Sequence, residues 1–212
     1  VEKMAIPFAV GLQESGILAC GKHFPGHGDT SVDSHLALPT VGASRQEMDA
    51  VELRPFRRAI EAGIGAIMSA HIVCAGLGEK EPATLCRSII TAMLREDLGF
   101  SGLVFSDDLE MKAIANNYGI AEAAERAIEA GCDVVAICRD EQEQDYAHER
   151  LVRRTERDSK FRERITEAAN RSLRVRQGLT NRRAKTWEQA QELMRGGTAV
   201  DLEAEVQRRS EC

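Results

Sequence analysis

Four short apolar runs, residues 16–23, 63–71, 102–108 and 133–140, do most to limit how this chain can fold. Each is rich in Val, Ile, Leu or Ala without clean alternation, the pattern of a strand covered on both faces. Each stops abruptly in polar, chemically capable residues. Between the runs the spacing turns helical. Ser44 with Glu47 three residues on reads as a capping box, and Gly63 is placed to close the helix that it opens. Pro55 falls inside that helix, so two helical pieces are predicted. Leu85, Ile89, Met93 and Leu94 share one face of a segment closed by Gly99, and the stretch from Ile120 to Gly131 repeats the design. The order β-α-β-α-β-α-β demands parallel strands joined by right-handed crossovers.

Such a series is half of an eight-fold barrel or most of a doubly wound sheet. In a barrel, functional groups collect at the carboxyl ends of strands, and His23, His71 and Asp107 all fall there. A doubly wound sheet would more often show a glycine-rich phosphate turn opening a helix, and the sequence has none. The expected fold is therefore α/β of the (β/α)8 TIM-barrel type. About the C-terminal half of the barrel is expected in this chain, with the first half preceding Val1 and C-terminal helices after Asp140. Residues 1–180 are assigned to the half-barrel and 181–212 to a peripheral helical tail.

Composition narrows the function classes. Of 212 residues, 43% are hydrophobic and 29% charged, a globular balance, and the formal charge of −6 argues against nucleic acid as a partner. Arg150, Arg153, Arg154, Arg157, Arg162 and Arg164 cluster, but acidic residues interleave with them, as on a solvated helix face. Six cysteines show no CxxC pair. Cys20, Cys74, Cys132 and Cys138 sit in apolar surroundings, which points to free buried thiols in a reducing compartment such as the cytoplasm. No apolar run approaches a membrane span, so no membrane partner is expected.

The loop after the first run, GKHFPGHGDTSVDSH over residues 21–35, carries the chemistry. His23 and His27 are four apart, but Pro25 and Gly26 between them exclude the helix that would aim both at one metal ion. A phosphate site would lack the GxxxxGK[ST] pattern and would face Asp29. Asp33, Ser34 and His35 are contiguous, with no G-x-S-x-G elbow for a hydrolase triad. No metal or cofactor is expected. Asp33 and His35 are two apart, so in extended chain they share a side. A carboxylate there would fix the imidazole tautomer for proton transfer near neutral pH; the same spacing equally suits a pair that only closes a loop. At the third run's end, strand alternation points one carboxylate of Asp107 and Asp108 into the barrel mouth, and Asp108 better suits capping the next helix. An inward carboxylate facing a mobile acid/base is an arrangement used by retaining glycosidases, with histidine here in place of the second carboxylic acid.

KHFPGHGDTSVDSH together with FSDDLEM resembles the bacterial β-N-acetylhexosaminidases of glycoside hydrolase family 3, and the likeness covers residues 8–139. The resemblance implies Asp107 as the nucleophile of a covalent glycosyl-enzyme, His35 as acid/base and Asp33 as its dyad partner. It further implies that Lys22 and His23 hold the hydroxyls of the N-acetylglucosamine ring. His27, Asp29 and Thr30 would shape the loop, and His71 would support the site without touching substrate. The implied activity is retaining exo-hydrolysis of β-linked N-acetylglucosamine from muropeptide fragments in peptidoglycan recycling. Members have a complete barrel whose earlier strands add an aspartate and an arginine to the sugar site. Without those strands the chain would lack half the pocket wall and leave its first strand unpaired. A family 3 β-glucosidase and a non-catalytic sugar-binding remnant are the rival readings.

Overall fold

A computed structural model describes residues 1–27, 30, 38–180, 186–189 and 191. Strands β1 (Cys20–Phe24), β3 (Ala66–Ser69), β5 (Leu103–Asp108) and β6 (Val134–Ala136) form one sheet in the order β1-β3-β5-β6, all parallel. Each grows from one of the apolar runs. A second parallel pair, β2 (Thr40–Val41) with β4 (Val73–Cys74), was not expected from the sequence. Just after β4, Gly76 passes against the segment that follows β2. A Cβ on Gly76 would come within 2.2 Å of the Ala43 carbonyl oxygen, so only glycine fits.

Helices α1 (Glu2–Glu14), α2 (Arg45–Ala50), α3 (Leu53–Glu61), α4 (Lys112–Ala115), α5 (Ile120–Ala130), α6 (Glu141–Arg157) and α7 (Ser159–Thr180) connect or flank the strands. The capping box forms: the Ser44 amide donates to Glu47 Oε2 at 2.8 Å, and the Glu47 amide to Ser44 Oγ at 3.4 Å. The helix then breaks at Val51 and restarts at Leu53. Pro55 lies in the new first turn, where its missing N–H has no intrahelical partner to lose. Gly63, at φ +78°, ends α3 by donating to the Ile60 carbonyl, while Ile64 donates to Ala59. That crossed pair is a Schellman closure.

The segment predicted as a helix over Leu85–Gly99 differs in winding. Leu85 sits in a tight turn (Ala83–Leu85), and Ser88–Asp97 form a helix of wide, i→i+5 turns, continued where the Leu98 amide donates to Met93 at 3.0 Å. Ile89, Ile90, Met93 and Leu94 are all buried along it. The sheet's outer face is sealed: Ile67 and Val104 are wholly buried, and Phe24 meets Phe56 edge-to-face at 5.2 Å. The inner row Met68, Phe105 and Val134 lies in register across β3, β5 and β6 and is only half-buried. Among the described residues β1 pairs with β3 alone and forms an edge of the sheet.

At the opposite end of the sheet from the polar strand ends, Asp133 holds α7 in place. Its carboxylate is buried and binds Arg95 (2.5 Å), Arg164 (3.0 Å) and Arg171 (2.5 Å), and accepts the Val104 amide at 3.0 Å. Arg164 thus departs from the solvated arginine face expected of it, because the carboxylate draws it inward, where it also donates to the Ile128 and Cys132 carbonyls. Burial pushes the thiols of Cys74, Cys86 and Cys132 up to about 12. Cys20 and Cys138 are exposed, contrary to the expectation from their apolar neighbours: Cys20 begins the edge strand and Cys138 leaves the sheet after β6.

By internal contacts the chain divides into Val1–Leu179 and Thr180–Cys212. Within the second unit, the Gln189 amide donates to Thr186 Oγ1 at 3.3 Å and the Thr186 amide to Gln189 Oε1 at 3.0 Å, a helix-opening box. The remainder of the predicted tail helices falls outside the described residues. No described helix is long and apolar enough to cross a membrane.

Candidate active site

The polar residues that end β1, β3 and β5 converge at one rim. On β1, Lys22 is exposed and His23 half-buried, and the peptide bonds preceding His23 and Pro25 are cis. On β5, Asp107 keeps 19% of its side chain accessible. β3 lies between these strands, yet His23 Nε2 reaches across it to within 3.6 Å of Asp107 Oδ2. At that separation the two polarise one another without closing a tight hydrogen bond, and a ligand atom could bridge them. The other oxygen, Asp107 Oδ1, accepts the amide of Asp108 at 2.9 Å, which fixes the carboxylate plane.

His71 follows β3 and is completely buried, so it cannot touch a ligand. Its Nε2 lies 3.0 Å from the Asp108 carbonyl and its Nδ1 2.9 Å from Thr84 Oγ1, which in turn lies 2.8 Å from Ser69 Oγ. A carbonyl can only accept, so Nε2 carries the proton; the Thr84 hydroxyl that faces Nδ1 also lies 3.1 Å from the Ala70 carbonyl, and its one hydrogen is shared between these two acceptors. Burial pushes the His71 imidazole below the ordinary histidine range, against the pull of the Asp108 carbonyl and the nearby Asp107 charge. The ring braces the turn that carries Asp107 from behind. Asp108 does not cap a helix directly. Its Oδ1 accepts the Glu110 amide at 3.1 Å, forming a side-chain turn before α4.

Of the loop over residues 21–35, residues 21–27 and Thr30 are described. Thr30 Oγ1 donates to the His27 carbonyl at 3.1 Å and so accepts from His27 Nδ1 at 2.7 Å. That leaves His27 Nε2 a buried acceptor without a partner among the described residues. Both side chains serve the loop's own shape. Asp29, Asp33 and His35 lie outside the described residues. No described group of three or more His, Cys, Asp or Glu could hold a metal ion.

Sequence reasoning missed Glu110. Its carboxylate accepts three successive amides from the segment after β6: Cys138 and Arg139 at 2.6 Å each, and Asp140 at 3.1 Å. The only signal was an acidic residue just after a pair of aspartates. A cavity of about 930 Å³ lies along the edge of β1 between α1 and α3. It is lined by apolar groups such as Ile6, Leu12 and Phe56, with Lys22 and His23 also on its wall.

The comparisons with known proteins agree with one another. A β-hexosaminidase of Neisseria meningitidis serogroup C (strain 053442) is 44% identical over 138 residues, covering 65% of this chain and 38% of that protein. A glycoside hydrolase family 3 β-N-acetylglucosaminidase from Paenibacillus sp. str. FPU-7 superposes with a TM-score of 0.78 at 42% identity, over 83% of this chain and 34% of that one. The β-N-acetylglucosaminidase of Thermotoga maritima does so with a TM-score of 0.74 at 30% identity, over 85% and 38%. The chain therefore spans about two fifths of the length of these relatives. These superpositions agree with the expected fold class, α/β of the TIM-barrel type with part of the barrel in this chain. Residues 1–175 match the model of the glycosyl hydrolase family 3 N terminal domain, and the chain belongs to that family.

Proposed function

We propose that this chain carries the reacting groups of a retaining β-N-acetylhexosaminidase, with Asp107 as nucleophile. The observation that carries the reading is the approach of His23 Nε2 to Asp107 Oδ2, 3.6 Å apart at the strand ends, with the carboxylate still open to a ligand. In the first step Asp107 attacks the anomeric carbon and forms a glycosyl ester as the glycosidic bond breaks. His35, oriented by Asp33, gives its proton to the departing oxygen. In the second step His35 takes a proton from water, which attacks the same carbon and releases Asp107. Lys22 and His23 bind sugar hydroxyls beside the reacting carbon. A histidine acid avoids setting two carboxylic acids with opposite ionisation demands in one pocket. The substrates proposed are N-acetylglucosaminyl muropeptide fragments met in the cytoplasm during peptidoglycan recycling.

The test is hydrolysis of an aryl N-acetyl-β-glucosaminide against the matching glucoside. Preference for the first is expected, and preference for the glucoside would contradict the reading. Asp107→Ala should reduce kcat by about 10⁴-fold or more. His35→Ala should cost roughly 10²–10⁴-fold on substrates with poor leaving groups and far less on activated ones. Equal losses on both would rule out the acid/base role.

A further inference from the structure

We propose that Glu110 is a positioning residue: it locks the segment after β6 to the turn after β5 and thereby holds Asp107 in place. The lock has two halves. On one side, Glu110 Oε2 accepts the amides of Cys138 and Arg139 and Oε1 accepts that of Asp140. Asp140 in turn caps α6, its Oδ1 accepting the Gln142 amide at 2.9 Å, while the Ile137 carbonyl takes Gln144 Nε2 at 2.8 Å. A carboxylate facing three amides at the start of a long helix is favoured by their dipoles. On the other side, Glu110 belongs to the turn that begins at Asp107. The Asp108 amide binds Asp107 Oδ1, the Glu110 amide binds Asp108 Oδ1, and the Leu109 amide donates to the Ala136 carbonyl at 2.9 Å. One side chain therefore makes a single body of two loops.

The amides that Glu110 holds are in an exposed segment, so water can replace the carboxylate at small cost in stability. What water cannot replace is the geometry. A displacement of about 1 Å at a reacting group can cost about 10²-fold in rate. Losing the lock leaves Asp107's turn tied by the Leu109–Ala136 bond and by the His71 brace. The catalytic meaning of the inference rests on the reading of Asp107 as nucleophile; the mechanical part does not.

The experiment is Glu110→Gln in the full chain, followed by two measurements. Glutamine keeps one acceptor and turns an amide group toward backbone N–H donors. Site-resolved amide hydrogen exchange should quicken about tenfold or more at Cys138–Asp140 and also at Leu109, on the nucleophile's own turn. Unchanged protection at Leu109 would overturn the proposal, because the lock would then end in its own loop. On an aryl N-acetyl-β-glucosaminide, kcat should fall about 10–100-fold with KM within about twofold, since Lys22 and His23 are untouched. A rise in KM with kcat preserved would equally overturn it. If the unaltered chain does not hydrolyse the glycoside, the reading of Asp107 falls, and exchange at Leu109 still decides whether Glu110 holds that turn. Should the glutamine variant fail to fold, Glu110→Asp, which keeps the charge but shortens the reach, gives the same contrast.

Discussion

At the scale of residues, what a side chain touches decides what it can do. His71 is the clearest, a neutral imidazole between a carbonyl and a hydroxyl. Burial holds its pKa below the ordinary histidine value of about 6.5, so below that pH the unfolded chain binds the proton that the folded one refuses. Its contribution is therefore present above pH 6.5 and is lost as pH falls toward the folded value, by at most about 1.4 kcal/mol per pH unit. Melting temperatures between pH 7.5 and 5 should decline more steeply for the native chain than for His71→Gln. Parallel slopes would show that the ring does not titrate against folding. Lys22 was implied by the family resemblance alone, whereas His23 and Asp107 could be placed at the rim because they end apolar runs. Glu110 could not, since its partners are backbone amides 28 to 30 residues away that no side-chain pattern announces.

At the scale of elements, the βα order and most boundaries followed from caps and apolar spacing, local properties that packing then respected. The Ser44 box, the Gly63 closure and the break before Leu53 are all decided within a few residues. The wide winding of Ser88–Asp97 and the small β2–β4 pair were illegible, because both are settled by tertiary packing. So was the inward turn of Arg164, one of three arginines gathered by Asp133. That cluster joins the wide helix, β6 and α7, and removing the carboxylate would strand its guanidinium groups. Asp133→Ala should destabilise the first unit by about 3–5 kcal/mol, measured by denaturant unfolding. A loss below about 1 kcal/mol would show that solvent readily replaces the carboxylate.

At the scale of the molecule, a four-stranded parallel sheet has a half-buried inner row and an edge strand, β1, with one neighbour among the described residues. Beside that edge, Phe8 and Ile17 are 69% and 56% exposed. Unpaired edges flanked by apolar side chains invite self-association. Light scattering should find assemblies at micromolar concentration, shifted toward monomer by Phe8→Lys with Ile17→Lys; an unaltered monomer would contradict this. The central claim, however, concerns Asp107. A fluorinated N-acetyl-β-glucosaminyl fluoride, which reacts in the first step and lingers before the second, should leave its sugar mass on a peptide containing Asp107, and leave none on Asp107→Asn. An adduct on any other residue, or no adduct from a folded chain that hydrolyses the aryl glycoside, would contradict the account.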